Sequence, residues 1–188
     1  MNYKELFNRV AMLISSPAKA WDEIACEEDK KKLLGAFVYP MIGFCGLFVF
    51  VGFFICNTSG SAAFYSAARC CAIFVSLFGG FFLASYLVDL LGQKWLGRAE
   101  NQGLNQQFVG YSMVVIFVLN IISGLFSISI LHWILQFYTV FVVYEGARLL
   151  LDVEEKQLTR FALVASLVIV ASPELISMIF NKLSLILN

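Results

Sequence analysis

The sequence predicts an all-α integral membrane protein: a bundle of five transmembrane helices preceded by amphipathic interfacial helices at the N-terminus. Composition is the first observation. Of 188 residues, 60% are hydrophobic and 14% are charged, against about 45–50% apolar and about 25% charged in ordinary globular chains. The second is the length of the uncharged runs. Residues 33–68, 70–88, 101–144 and 161–173 contain no Asp, Glu, Lys or Arg, and a helix needs about 20 mainly apolar residues to cross the hydrocarbon core. The third is that the few charges cluster between those runs. Such hydrophobicity excludes a disordered chain, and a water-soluble fold of this size lacks a core large enough to hide it. With 13 basic against 13 acidic residues, the basic surplus that phosphate binding needs is absent, so nucleic acid is not a predicted partner.

Residues 1–32 form the first unit. Charges at Lys4, Glu5 and Arg9 stand where the apolar region of a signal peptide would begin. Tyr3, Leu6, Phe7, Val10, Leu13 and Ile14 recur at three- and four-residue spacing, with Lys4, Glu5, Asn8 and Arg9 opposite. This is one face of a helix, suited either to the membrane interface or to docking on the protein's own helices. Ser15-Ser16-Pro17 ends it and starts another, with Ser as cap and Pro at the first helical position. The second helix sets Ala18, Trp21, Ile24 and Ala25 on one side. Trp21 suits the headgroup level, where its ring is apolar and its N–H is wet. The run Glu27-Glu28-Asp29-Lys30-Lys31-Lys32 reads as a solvated joint.

Residues 33–188 form the second unit, with spans near 36–56, 70–91, 108–127, 130–150 and 161–182. Each is about 30 Å long at 1.5 Å per residue, matching the bilayer core. Pro40 either starts or kinks the first span. A short turn around Ser127–Ser129 makes the third and fourth an antiparallel hairpin. In the second span Ala72, Ser76, Gly80 and Ala84 make a stripe of small residues at four-residue spacing. Such a stripe lets helix backbones approach closely, within one chain or between protomers.

Orientation follows from the positive charges. Eleven of the 13 Lys and Arg lie in the N-terminal segment, the second loop and the fourth loop, leaving only Arg69 and Lys182 for the opposite side. Five spans then place the N-terminus in the cytoplasm and the C-terminus outside.

The chemistry-bearing residues are few. The five cysteines form no Cys-x-x-Cys pair and His132 is the only histidine, so a zinc site lacks its ligands. The cysteines read as small apolar helix residues. A bridge from Cys56 to Cys70 or Cys71 requires that loop to face an oxidising compartment. The sequence has no His-Glu-x-x-His, no Gly-x-Ser-x-Gly and no Gly-rich phosphate loop, so no enzyme activity and no cofactor is expected.

Charges within the membrane are costly, about 2.5–3.5 kcal/mol each on insertion scales. Asp89 lies near the cytoplasmic end of the second span, where interfacial hydration accounts for it. Glu145 and Arg148 are three apart on the fourth span and are expected to pair. Glu174 lies fourteen residues past Arg160, about 21 Å along the helix and past the bilayer midpoint. It follows Ser172-Pro173, so a break there would set it beside free N–H groups, where an acid is favoured. The functional reading is a proton or cation site with Asn120 and Gln136 as neighbours.

This layout resembles the Yip family of Ypt/Rab-interacting membrane proteins, in particular its bacterial branch, over nearly the whole chain. Ser16-Pro17-Ala18-Lys19-Ala20-Trp21-Asp22-Glu23-Ile24 is similar to the bacterial members' pre-membrane segment, and Gly110-Tyr111 to the Gly-Tyr pair opening the third span. The Asp-Leu-Tyr-Gly-Pro element of eukaryotic members is absent, and Ser112 stands where a Pro commonly follows Gly-Tyr. The resemblance implies five spans, a cytoplasmic N-terminus, a bacterial inner-membrane location and a non-enzymatic role in organising membrane proteins, copies of itself or lipids. Eukaryotic relatives act in vesicle traffic and bind prenylated Rab GTPases, a partner implied here only for a eukaryotic chain. Beside this stand a small transporter handling a proton, ion or lipid through Glu174 and Asn120, and a membrane-shaping role for residues 3–14.

Overall fold

A computed structural model describes the backbone of residues 3–26, 33–56, 62–125 and 129–187, and the side chains of 3–26, 33–52, 67–124 and 136–183. The elements are α1 (Tyr3–Ser15), α2 (Pro17–Ala25), α3 (Tyr39–Cys56), α4 (Ala62–Leu96), α5 (Gln102–Ser112), α6 (Val114–Leu125), α7 (Ser129–Leu149) and α8 (Glu155–Leu187). Among the described residues there is no strand. Four stretches are long and apolar enough to cross a membrane: Leu34–Gly52, Ala67–Leu96, Gln102–Gly124 and Glu155–Leu183. The expected fourth span corresponds to α7, a helix of 21 residues, about 31 Å long. The side chains of 129–135 and the turn 126–128 lie outside the described residues.

Several elements depart from expectation for identifiable reasons. The first span opens with a π-turn over Leu34–Val38 ahead of α3. Pro40 stands in the first turn of α3, where its missing N–H breaks no ladder bond that the wider turn would otherwise have to supply. The third span is divided at Met113, yet the ladder runs on through it, with Met113 N donating to Val109 O (2.9 Å) and Phe117 N to Met113 O (3.0 Å). The break expected at Ser172-Pro173 is not there: α8 is continuous with Pro173 inside it. Within a bundle, a proline is tolerated where neighbouring groups re-satisfy the backbone. Here the Ser172 hydroxyl donates to Val168 O at 2.6 Å, and Pro173 is buried against α4. Glu174 therefore has no helix start beside it.

The N-terminal pair docks on the bundle. Leu6, Val10 and Leu13 of α1 are buried, while Tyr3 and Phe7 remain about half exposed with their rings 6.3 and 5.5 Å from that of Phe44. The Tyr138 hydroxyl donates to Ile14 O at 2.6 Å. In α2, Pro17 takes the first helical position, but Ser16 makes no side-chain cap bond. The buried side is Pro17, Ala20, Trp21 and Ile24, with Ala18 and Ala25 exposed, so the face is rotated from the one expected. Trp21 is not at a wet interface. It is fully buried, and its Nε1–H donates to Val142 O at 2.9 Å. A methyl at Gly146 would stand 2.6 Å from the Trp21 ring, so only glycine lets α7 come this close.

The two long helices α4 and α8 form the most extensive pair, and the small-residue stripe lies between them. Ser76, Gly80 and Ala84 are buried and Ala72 is half-buried. A Cβ on Gly80 would meet the backbone of Pro173 at 2.6 Å. The stripe is thus spent within the chain, where close backbone approach replaces the hydrophobic drive that lipid cannot supply.

Candidate functional site

The bundle places Glu174, Asn120 and Gln136 around one cavity of about 70 Å³, together with Ser76 and Ser177. Four helices supply the walls: α4, α6, α7 and α8. Asn120 donates from Nδ2 to Ile116 O at 2.8 Å, and since a carbonyl only accepts, this fixes the amide's orientation and leaves Oδ1 as its free group. Ser76 spends its hydroxyl hydrogen on Ile73 O at 3.0 Å. Glu174 is exposed and forms part of the rim. The sequence reasoning missed Ser177, although it stands three residues after Glu174 and so on the same face.

Asp89 is elsewhere and differently held. It is 7% exposed. Its Oδ2 accepts from Gln93 Nε2 at 2.7 Å, and its Oδ1 from Asn105 Nδ2 and from the Asn101 backbone N–H at 3.4 Å. Protein donors, not interfacial water, meet its lone pairs. Asn101 also caps α5, its Oδ1 accepting from Leu104 N at 3.1 Å. The carboxylate thereby ties the end of α4 to the start of α5 across the loop. Two asparagines at the opening of a polar helix were the available signal.

Glu145 and Arg148 do approach, at 3.8 Å, with Arg148 half exposed and Glu145 buried. At that distance the contact is coulombic and not a hydrogen bond. Cys70 and Cys71 are free thiols, so neither bridges to Cys56, whose side chain lies outside the described residues. Among the described residues no group of three or more His, Cys, Asp or Glu gathers to hold a metal ion.

The short motifs at the two ends of the N-terminal half meet in space. Trp21 packs at 5.9 Å from the Phe108 ring and edge-on at 6.1 Å from Tyr111, and Tyr111 lies 4.7 Å from Phe37. Gly110 is buried beside Val38 and Leu33, and Pro17 closes the same side. The Arg9 guanidinium sits over the Tyr111 ring at 5.7 Å. A pre-membrane segment and a span some ninety residues apart thus share one aromatic core.

No curated protein and no solved structure matches the chain. Residues 11–174 match the Yip1 domain, a stretch that runs from within α1 to Glu174 and takes in both motifs. This all-helical membrane protein therefore belongs to the Yip family.

Proposed function

We propose that this protein is a non-enzymatic scaffold of the bacterial inner membrane that organises other membrane proteins or lipids. Residues 1–32 form its cytoplasmic and interfacial segment, residues 33–188 its spanning domain, and the C-terminus lies outside. The observation that carries this reading is the flank of α8. Leu163, Leu167, Leu175, Met178, Ile179 and Leu183 are all more than half exposed, and only 28% of that span is buried, against 67% of the Gln102–Gly124 span. With the small-residue stripe consumed by α4–α8 packing, this flank and the exposed Tyr3 and Phe7 are the surfaces left for partners. Affinity purification in mild detergent tests it. Specific proteins or lipids co-purify and are lost when Leu167 and Met178 are both replaced by Ala. A chain that elutes alone overturns the proposal. Reporter fusions at the C-terminus give no cytoplasmic signal on this topology.

The cavity favours a second reading, a small transporter component that handles a proton, ion or lipid through Glu174 and Asn120. Proteoliposome flux that is abolished by Glu174→Gln supports it, and equal flux in both proteins refutes it.

A further inference from the structure

We propose that the cavity between α4, α6, α7 and α8 binds one monovalent inorganic cation, with the Glu174 carboxylate as its counter-charge and the side-chain oxygens of Asn120, Ser76, Gln136 and Ser177 as neutral ligands. The donor groups point to this chemistry. Asn120 and Ser76 direct hydrogens back to the carbonyls of Ile116 and Ile73, so what they offer the cavity is lone pairs. Hard cations take oxygen ligands, from side-chain amides and hydroxyls as well as carboxylates. An anion would meet a carboxylate with no basic residue to offset it.

Charge and size narrow the ligand further. Glu174 is the only ionisable residue lining the cavity from any of its four helices. One bound positive charge leaves the site neutral, whereas a divalent ion would leave a net charge among apolar helices, which the membrane penalises. About 70 Å³ accommodates a small ion with a few waters, each of which takes roughly 30 Å³ in the liquid. Asp89 supplies the contrast, since its lone pairs are taken by Gln93, Asn101 and Asn105 and none is left for an ion.

This inference shares its location with the transporter reading but concerns binding alone. A protein that holds the ion without moving it satisfies this inference and shows no flux, so the two fail separately.

Dicyclohexylcarbodiimide provides the test, because it reacts with protonated carboxyl groups in apolar surroundings and leaves an adduct visible in the intact mass. The protein is reconstituted in neutral phospholipid vesicles without alkali salts. One adduct per chain is expected, and none in Glu174→Gln. Sodium or potassium chloride at ten times the dissociation constant leaves about a tenth of the sites empty and slows labelling about tenfold. Choline chloride at equal ionic strength, with a cation too bulky for the cavity, leaves the rate unchanged. Protection weakens as pH falls, because proton and cation compete for the same carboxylate. In Asn120→Ala the adduct still forms, and the salt concentration giving half protection rises by about fivefold or more. Labelling that ignores both alkali salts overturns the proposal and leaves Glu174 a proton-exchanging acid. Failure of Glu174 to label at any pH overturns it as well.

Discussion

Asp89 and Glu174 sit on the two long helices that pack against each other, and their surroundings differ in kind. Asp89 is buried and its oxygens accept three hydrogen bonds, which fasten α4 to α5. Around it, Trp21, Phe108, Tyr111 and Phe37 form a continuous aromatic core, and the Gln102–Gly124 span is the most buried of the four. Glu174 stands on the rim of a polar cavity in the least buried span. The same residue chemistry is structural where protein donors exhaust its lone pairs, and available for a ligand where they do not. The difference separates a closed end of the bundle, built for rigidity, from an open end that keeps polar groups unspent.

The largest effect expected from perturbing that contrast is at the closed end. Trp21→Ala removes the central ring of the aromatic core and should destabilise the protein by about 3–5 kcal/mol, read as a large fall in the thermal midpoint of the detergent-solubilised chain. Trp21→Phe keeps most of the ring packing but leaves the buried Val142 carbonyl without its donor, for a loss of about 1–2 kcal/mol. An unchanged midpoint in both would mean that the N-terminal pair does not dock as described.

Asp89→Ala comes next, at about 2–3 kcal/mol, because bonds to a charged acceptor are lost and the donors of Gln93, Asn101 and Asn105 are left partly buried. Faster hydrogen exchange over 97–105 would accompany it, and protection equal to wild type there would refute the fastening role. Gly80→Ala tests the seam joining the two ends. Its new methyl meets the Pro173 backbone at 2.6 Å, and overpacking of this kind costs about 1–3 kcal/mol. The smallest effect belongs to the open end. Glu174→Gln removes no protein hydrogen bond seen in the structure and should shift stability by no more than about 0.5 kcal/mol. A loss comparable to that of Asp89→Ala would erase the distinction between the two carboxylates.

Uncharged runs located the membrane segments within a few residues, because span length is dictated by bilayer thickness and barely depends on neighbours. The small-residue stripe was equally legible, since Ala72, Ser76, Gly80 and Ala84 need only helical periodicity to share a face. What stayed hidden depended on contacts distant in sequence. Trp21 reads as interfacial by residue type, and only the arrival of Val142, 121 positions later, makes its N–H dry. Asp89 reads as hydrated because its donors lie 12 and 16 residues on, across a loop. Pro173 reads as a break because a linear sequence does not disclose that Gly80 will press against it. The cavity lay between these cases: Glu174 announced itself as an isolated charge, but its walls come from four separate helices.

The π-turn at Leu34–Val38 has a consequence for how this chain tolerates insertions and deletions. A π-turn holds one residue more than an α-turn before the ladder resumes. Deleting any one of those five residues would barely shorten the first span. It would convert the turn to α and rotate everything after it by about 100° relative to the N-terminal pair. Met41, Ile42 and Cys45, now buried, would then swing off the core while Phe37 held its place against Tyr111. The length of this short stretch, more than its residue types, sets the phase between the docked N-terminal helices and the rest of the bundle.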